Sequence, residues 1–143
     1  MADIVHDFRI SAPPERVYQA MATPDGLNAW WTLTAAGDPV PGGEYALGFG
    51  PGHDWKAVVR HIVPNAELEW EITVADEDWK GTRVGFKLAP GDKHTQVQFY
   101  NTGWPEANGH FRGSSYCWAM YLRLLKRYVE SGERVPYDRR LEA

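Results

Sequence analysis

The chain has 143 residues, of which 43% are hydrophobic and 24% charged, proportions that suit one compact domain with a buried core. Its 15 basic and 19 acidic side chains leave a net charge of −4, which argues against the clustered basic face of a nucleic-acid binder. The only cysteine, Cys117, allows no intrachain disulfide, no run approaches the ~18 apolar residues of a membrane span, and no signal peptide is visible at the N-terminus, so the expected location is the cytoplasm.

Residues 4–10 place Ile4, His6, Phe8 and Ile10 on one side at a period of two, which predicts a half-buried strand. Pro13 and Pro14 then suit a first helical turn, where the missing N–H is not needed. Thr23-Pro24-Asp25 restarts a second short helix with Thr23 as N-cap, ending at Trp30-Trp31. From Thr32 to Thr102 the pattern becomes strands broken by turn residues. Tyr45, Leu47 and Phe49 share one face; the stretch from Trp55 to His61 follows; Leu68, Trp70, Ile72 and Val74 alternate with Glu67, Glu69, Glu71 and Thr73. Such alternation predicts a sheet with one dry and one wet face. Asp76-Glu77-Asp78 reads as a solvated hairpin tip. Val84, Phe86 and Leu88, a turn at Pro90-Gly91-Asp92, and then Thr95, Val97, Phe99 and Asn101 complete an antiparallel meander of five or six strands.

The last element runs from about Asn108 to Glu130. Trp118, Leu122, Leu125 and Val129 recur at helical spacing, and Tyr121, Leu124 and Tyr128 widen the apolar arc beyond an ordinary surface stripe. Gly132 supplies the C-terminal stop. A long helix with so wide an apolar face needs a concave partner, so the fold class expected is α+β, a curved antiparallel sheet wrapped around the C-terminal helix. The domain is expected to span residues 1–134, with 135–143 as a polar tail in which Arg139 and Arg140 are solvated.

The segment from Ala12 through Pro13, Pro14 and Glu15 to Trp30-Trp31-Thr32 resembles the opening motif of single-domain bacterial relatives of the heat-shock-protein-90 ATPase activator, within the START-like (SRPBCC) superfamily. Asn101-Thr102-Gly103-Trp104 resembles the family's closing strand, and the run from Trp118 through Leu122, Leu125 and Tyr128 to Gly132 resembles its C-terminal helix. The resemblance implies a helix-grip fold: seven antiparallel strands around a long helix, two short helices closing one end, and an internal cavity between sheet and helix. Family members often carry histidine where Asn101 stands and glycine where Cys117 stands.

Polar residues set among apolar ones are the candidates for chemistry. His6, His61 and Asn101 fall on strand faces otherwise carrying Phe, Val and Leu, and Ser114, Ser115 and Tyr121 on or near the matching helix face. A buried polar group without a partner costs ~1–3 kcal/mol, so these residues pair with one another, hold water or line a cavity. Trp30, Trp31, Trp55 and Trp118 offer rigid aromatic walls. The pocket reading names His6, Trp30, Trp55, His61, Phe86, Phe99, Asn101, Ser115, Trp118, Tyr121 and Leu122 as lining for a small hydrophobic or aromatic molecule. Beside it stand a chaperone-associated interaction module, which the resemblance implies, and a cyclase- or hydratase-like enzyme using His61 near Asn101 as an acid/base pair. The histidines lack zinc-binding spacing, no serine occupies a nucleophile elbow, and the Gly48-x-Gly50-x-Gly52 run lacks the strand-to-helix setting of a phosphate loop. Neither metal nor cofactor is therefore expected, and a monomer and a homodimer are equally compatible.

Overall fold

The computed structural model describes residues 1–143. Strand β1 (Ala2–Ile10) leads through Pro13 into α1 (Pro14–Ala22), and Thr23 joins that helix to α2 (Pro24–Trp30). Thr23 serves both helices. Its hydroxyl donates to the Gln19 carbonyl at 2.7 Å, closing α1, and accepts the Gly26 N–H at 3.1 Å, opening α2.

Six strands follow in succession: β2 (Thr34–Ala36), β3 (Glu44–Gly48), β4 (Asp54–Val63), β5 (Glu67–Val74), β6 (Arg83–Gly91) and β7 (His94–Trp104). Each pairs antiparallel with the next, and β1 adds beside β7, giving the order β1-β7-β6-β5-β4-β3-β2. Helix α3 (Gly109–Ser131) starts where the Asn108 side chain accepts the Phe111 N–H at 2.9 Å. It stops at Gly132, whose φ of 78° suits glycine and few other residues. This is the helix-grip architecture.

The inner sheet face and α3 share one core. Trp118, Leu122, Leu125 and Val129 are buried against it, with the Trp118 ring centroid 4.5 Å from that of Phe99 on β7. Glu69 and Glu71 occupy the opposite, wet face, where they meet Arg83 and Arg60.

Three expectations need correction. His61 lies not on the dry face but outside, bonded to Glu67 at 3.2 Å. Between Val59 and His61, β4 contains one more residue than β5, and this bulge turns every later side chain to the opposite face. Likewise β5 has an extra residue opposite the Lys56/Ala57 step, so Val74 is exposed where alternation placed it inside. The third concerns the C-terminus, which folds as a short 3-10 helix, Tyr137–Glu142, beside α3 and linked to the end of α2 through Arg140. Arg140 is only 4% exposed there, donating to the carbonyls of Asn28, Thr32 and Val135.

Candidate functional site

Beneath α3 the space between helix and sheet is occupied by aromatic rings rather than by an internal cavity. Trp31, Phe49, Trp55, Trp79 and Trp118 form a closed circuit of neighbours, with centroid separations of 5.3, 4.9, 4.9, 5.7 and 5.0 Å taken in that order and back to Trp31. These rings come from five places in the chain: the end of α2, the end of β3, β4, the β5–β6 connection and α3. Asn101 anchors the circuit from below. Its side-chain oxygen accepts the indole N–H of Trp104 at 3.0 Å and that of Trp118 at 3.2 Å, while its nitrogen donates to the Arg83 carbonyl at 3.1 Å. Asn101 thus holds the aromatic wall, and it is not paired with His61, which lies on the outer face against Glu67.

Above this wall a cleft of about 280 Å³ opens to solvent, lined by Trp31, Trp79, His110, Gly113, Ser114, Cys117, Trp118 and Tyr121. Its α3 residues fall at 110, 113/114, 117/118 and 121, one stripe at helical spacing. His110 is held at the rim: its Nδ1 lies 3.0 Å from the Asp78 carboxylate, and its ring meets Trp104 edge-on at 5.2 Å. Asp78 thus fixes the β5–β6 connection, with Trp79 on it, to the start of α3. The hydrogen bonds from His110 and Asn108 hold the Asp78 carboxyl below its ordinary value. Burial pushes the Tyr121 hydroxyl up, so it stays a neutral donor at physiological pH.

A second α3 stripe, 115, 119, 122/123 and 126, faces β1 instead. There the His6 Nε2 lies 3.3 Å from the Ser115 carbonyl, and a groove of about 380 Å³ is lined by His6, Phe8, Leu122 and Lys126 among others. The residues expected to share one pocket are therefore divided. Trp118 and Tyr121 line the cleft, with Trp55, Phe99 and Asn101 behind it; His6, Ser115 and Leu122 border the β1 groove. Trp30 is buried between α1 and α2, its indole N–H bonded to the Ala20 carbonyl at 2.9 Å, and Phe86 packs edge-on against Tyr18 and Trp70. His61 is on the outer face. Sequence reasoning did not select Trp79, His110 and Cys117; the 110/114/117/121 repeat was the signal for two of them, while Trp79 sits in a turn with no periodicity.

A curved seven-stranded sheet gripping a long C-terminal helix, with an aromatic cleft at one end of that helix, defines a START-like protein. The model of the Activator of Hsp90 ATPase homolog 1-like proteins matches residues 11–130, and the chain belongs to that family. Among solved structures it is similar to the Aha1 dimer from Colwellia psychrerythraea, with 32% identity and a TM-score of 0.82 over 92% of this chain and 98% of that one. MLL2253 from Mesorhizobium loti shares 22% identity at a TM-score of 0.77, over 88% and 95% of the two chains. CalU16 from Micromonospora echinospora shares 21% at 0.74, over 98% and 83%. These last two show the fold alone. A comparison with curated proteins gave no match. No helix is long and apolar enough to cross a membrane.

Proposed function

We propose that the chain is a cytoplasmic binding protein for a small, flat, largely apolar molecule, taken up in the cleft beside α3. The observation that carries this reading is the cleft's wall: Trp31, Trp79, Trp118 and Tyr121 surround about 280 Å³, with the Ser114 hydroxyl and the Cys117 thiol among few polar groups. Mostly aromatic walls with a few polar groups are what orient a compact apolar ligand. The volume suits one or two fused rings better than a long lipid chain. The test is titration with the neutral dye N-phenyl-1-naphthylamine, read by quenching of tryptophan emission. Saturable binding to the folded protein is expected, abolished in Ser114→Leu, where the larger side chain fills the cleft. Binding that appears only as the protein unfolds would overturn the reading.

The family match and the likeness to the Colwellia Aha1 support a second reading, association with a chaperone of the heat-shock-protein-90 class. Its test is the ATPase rate of the host chaperone with the chain added. Stimulation that survives Ser114→Leu would put this reading first. The described dimer of that relative also supports a homodimer here, to be checked by light scattering.

A further inference from the structure

The groove between β1 and α3 is separate from the aromatic cleft and has a different chemistry. β1 is an edge strand, since only β7 pairs with it. The Arg9 carbonyl accepts from Lys126 Nζ at 2.8 Å, and the Ser11 N–H donates to the Glu130 carboxylate at 2.7 Å. In an antiparallel pair, a residue turns both main-chain groups toward its partner strand or both away from it. Arg9 and Asp7, at the same parity, therefore direct their N–H groups away from β7, toward the groove they line.

Lys126 and Glu130 of α3, themselves paired at 2.7 Å, cap this edge at one end, and the contact of His6 with Ser115 ties it at the other. Between these ties the small Ala119 leaves a space of about 380 Å³ floored by Phe8 and Leu122. Arg123 stands over that floor, exposed and without a carboxylate partner, as is Arg9. Asp7 is the one acidic residue of the lining, and strand parity sends its side chain outward with those of Val5 and Arg9, which leaves Arg123 and the Glu130-paired Lys126 as the cations at the floor. In a chain of net charge −4, this is a local excess of cation over an apolar floor.

We infer that this groove binds an amphipathic monocarboxylate: the apolar body lies on Phe8 and Leu122, and the carboxylate is held by the Arg123 guanidinium, the Lys126 ammonium and the free N–H groups of the β1 edge. A groove tied at both ends fits a short molecule better than a continuing peptide, and a guanidinium with no acid of its own is a ready partner for a carboxylate.

Decanoate is the probe, titrated while amide shifts are followed by NMR, with decanol as its neutral match. Saturable binding is expected, with the largest shifts at Asp7, Arg9 and Arg123. Decanol binds about tenfold more weakly, as does decanoate to Arg123→Ala, the loss expected of one charge-assisted contact. Arg123 is exposed, so the variant folds, and Arg123→Lys restores part of the affinity. Ser114→Leu, which closes the aromatic cleft, leaves decanoate binding unchanged, so this site and the proposed function stand or fall separately. Equal binding of decanol, or shifts confined to Trp31, Trp118 and Tyr121, would overturn the inference. So would an acidic tripeptide that binds more tightly than decanoate and shifts the β1 edge, since the groove would then be a site for strand addition.

Discussion

Asn101 shows how one buried amide organises this molecule. Its oxygen receives two indole N–H groups, Trp104 and Trp118, and its nitrogen satisfies the Arg83 carbonyl. A tryptophan buried for its apolar area still has to place its N–H, and unpaired donors of this kind cost ~1–3 kcal/mol. Trp70 illustrates the exception: its Nε1 is buried with no partner, packed between Tyr45 and Phe86. Asn101→Leu keeps the shape but orphans two donors and a carbonyl, and is expected to cost about 2–5 kcal/mol in urea denaturation. A loss under ~1 kcal/mol would mean water replaces the amide. The sequence showed Asn101 as a polar residue on a dry face, but its partners were beyond reach. They are reached only through the bulge of β7 at Gly103, whose φ is 84°, the β6 register and α3.

At the scale of elements, helix phase was legible and sheet register only in part. A 3.6 period on α3 and a period of two on β6 and β7 were enough to place Trp118 over Phe99, because neither strand pattern is interrupted from Val84 to Leu88 or from Thr95 to Asn101. On β4 and β5 the bulges changed the count, and no residue type there announces them; His61 and Val74 were misplaced for that reason alone. The two stripes of α3 account for a difference in stability. Leu125 is fully buried, whereas Leu122 also borders the β1 groove. Both changes to alanine fall within ~2–5 kcal/mol, with Leu125→Ala at the upper end and Leu122→Ala at the lower, because part of the latter's cavity is already open. Reversal of that order in chemical denaturation would place Leu122 in the tighter packing.

The wet face of the sheet has its own device. Glu69, Gly85 and Tyr100 lie abreast on β5, β6 and β7. A Cβ on Gly85 would sit 2.5 Å from the Tyr100 hydroxyl, so the glycine lets that ring cross β6 and donate to Glu69 at 2.7 Å. Burial alone raises the Glu69 carboxyl, but Tyr100 and Arg83 together outweigh it and hold the group below its ordinary value. A carboxyl depressed by folding stabilises the native state above its unfolded pKa of about 4.3, and that contribution is lost as pH falls through the lower folded value. Wild type should therefore be more stable than Glu69→Gln near pH 7, and the gap should close below about pH 4. A gap constant across that range would assign Glu69 a packing role only.

Across the whole molecule, the C-terminal segment that reads as a solvated tail is part of the structure around the cleft. Arg140 donates to Asn28 at 2.7 Å and Thr32 at 3.1 Å, the carbonyls left open where α2 ends, and Tyr137 donates to the Phe49 carbonyl at 3.0 Å. The last turn of a helix leaves carbonyls that need donors, and here a residue more than a hundred positions away supplies them. Those contacts brace Trp31 and Phe49, two members of the aromatic circuit, from outside. Nothing in the pattern of residues signals this, because Asp138, Arg139, Arg140 and Glu142 look alike in a polar segment and only the fold selects one of them for burial. Arg140→Ala is expected to cost about 1–3 kcal/mol, the penalty for buried carbonyls that lose their donor, whereas Arg139→Ala, at an exposed neighbour, changes stability by less than about 0.5 kcal/mol. The same variant should loosen dye binding in the cleft, since Trp31 forms one of its walls. If thermal denaturation finds Arg139→Ala and Arg140→Ala equally mild, the segment is a solvated tail after all, and the support of Trp31 must come from α2 alone.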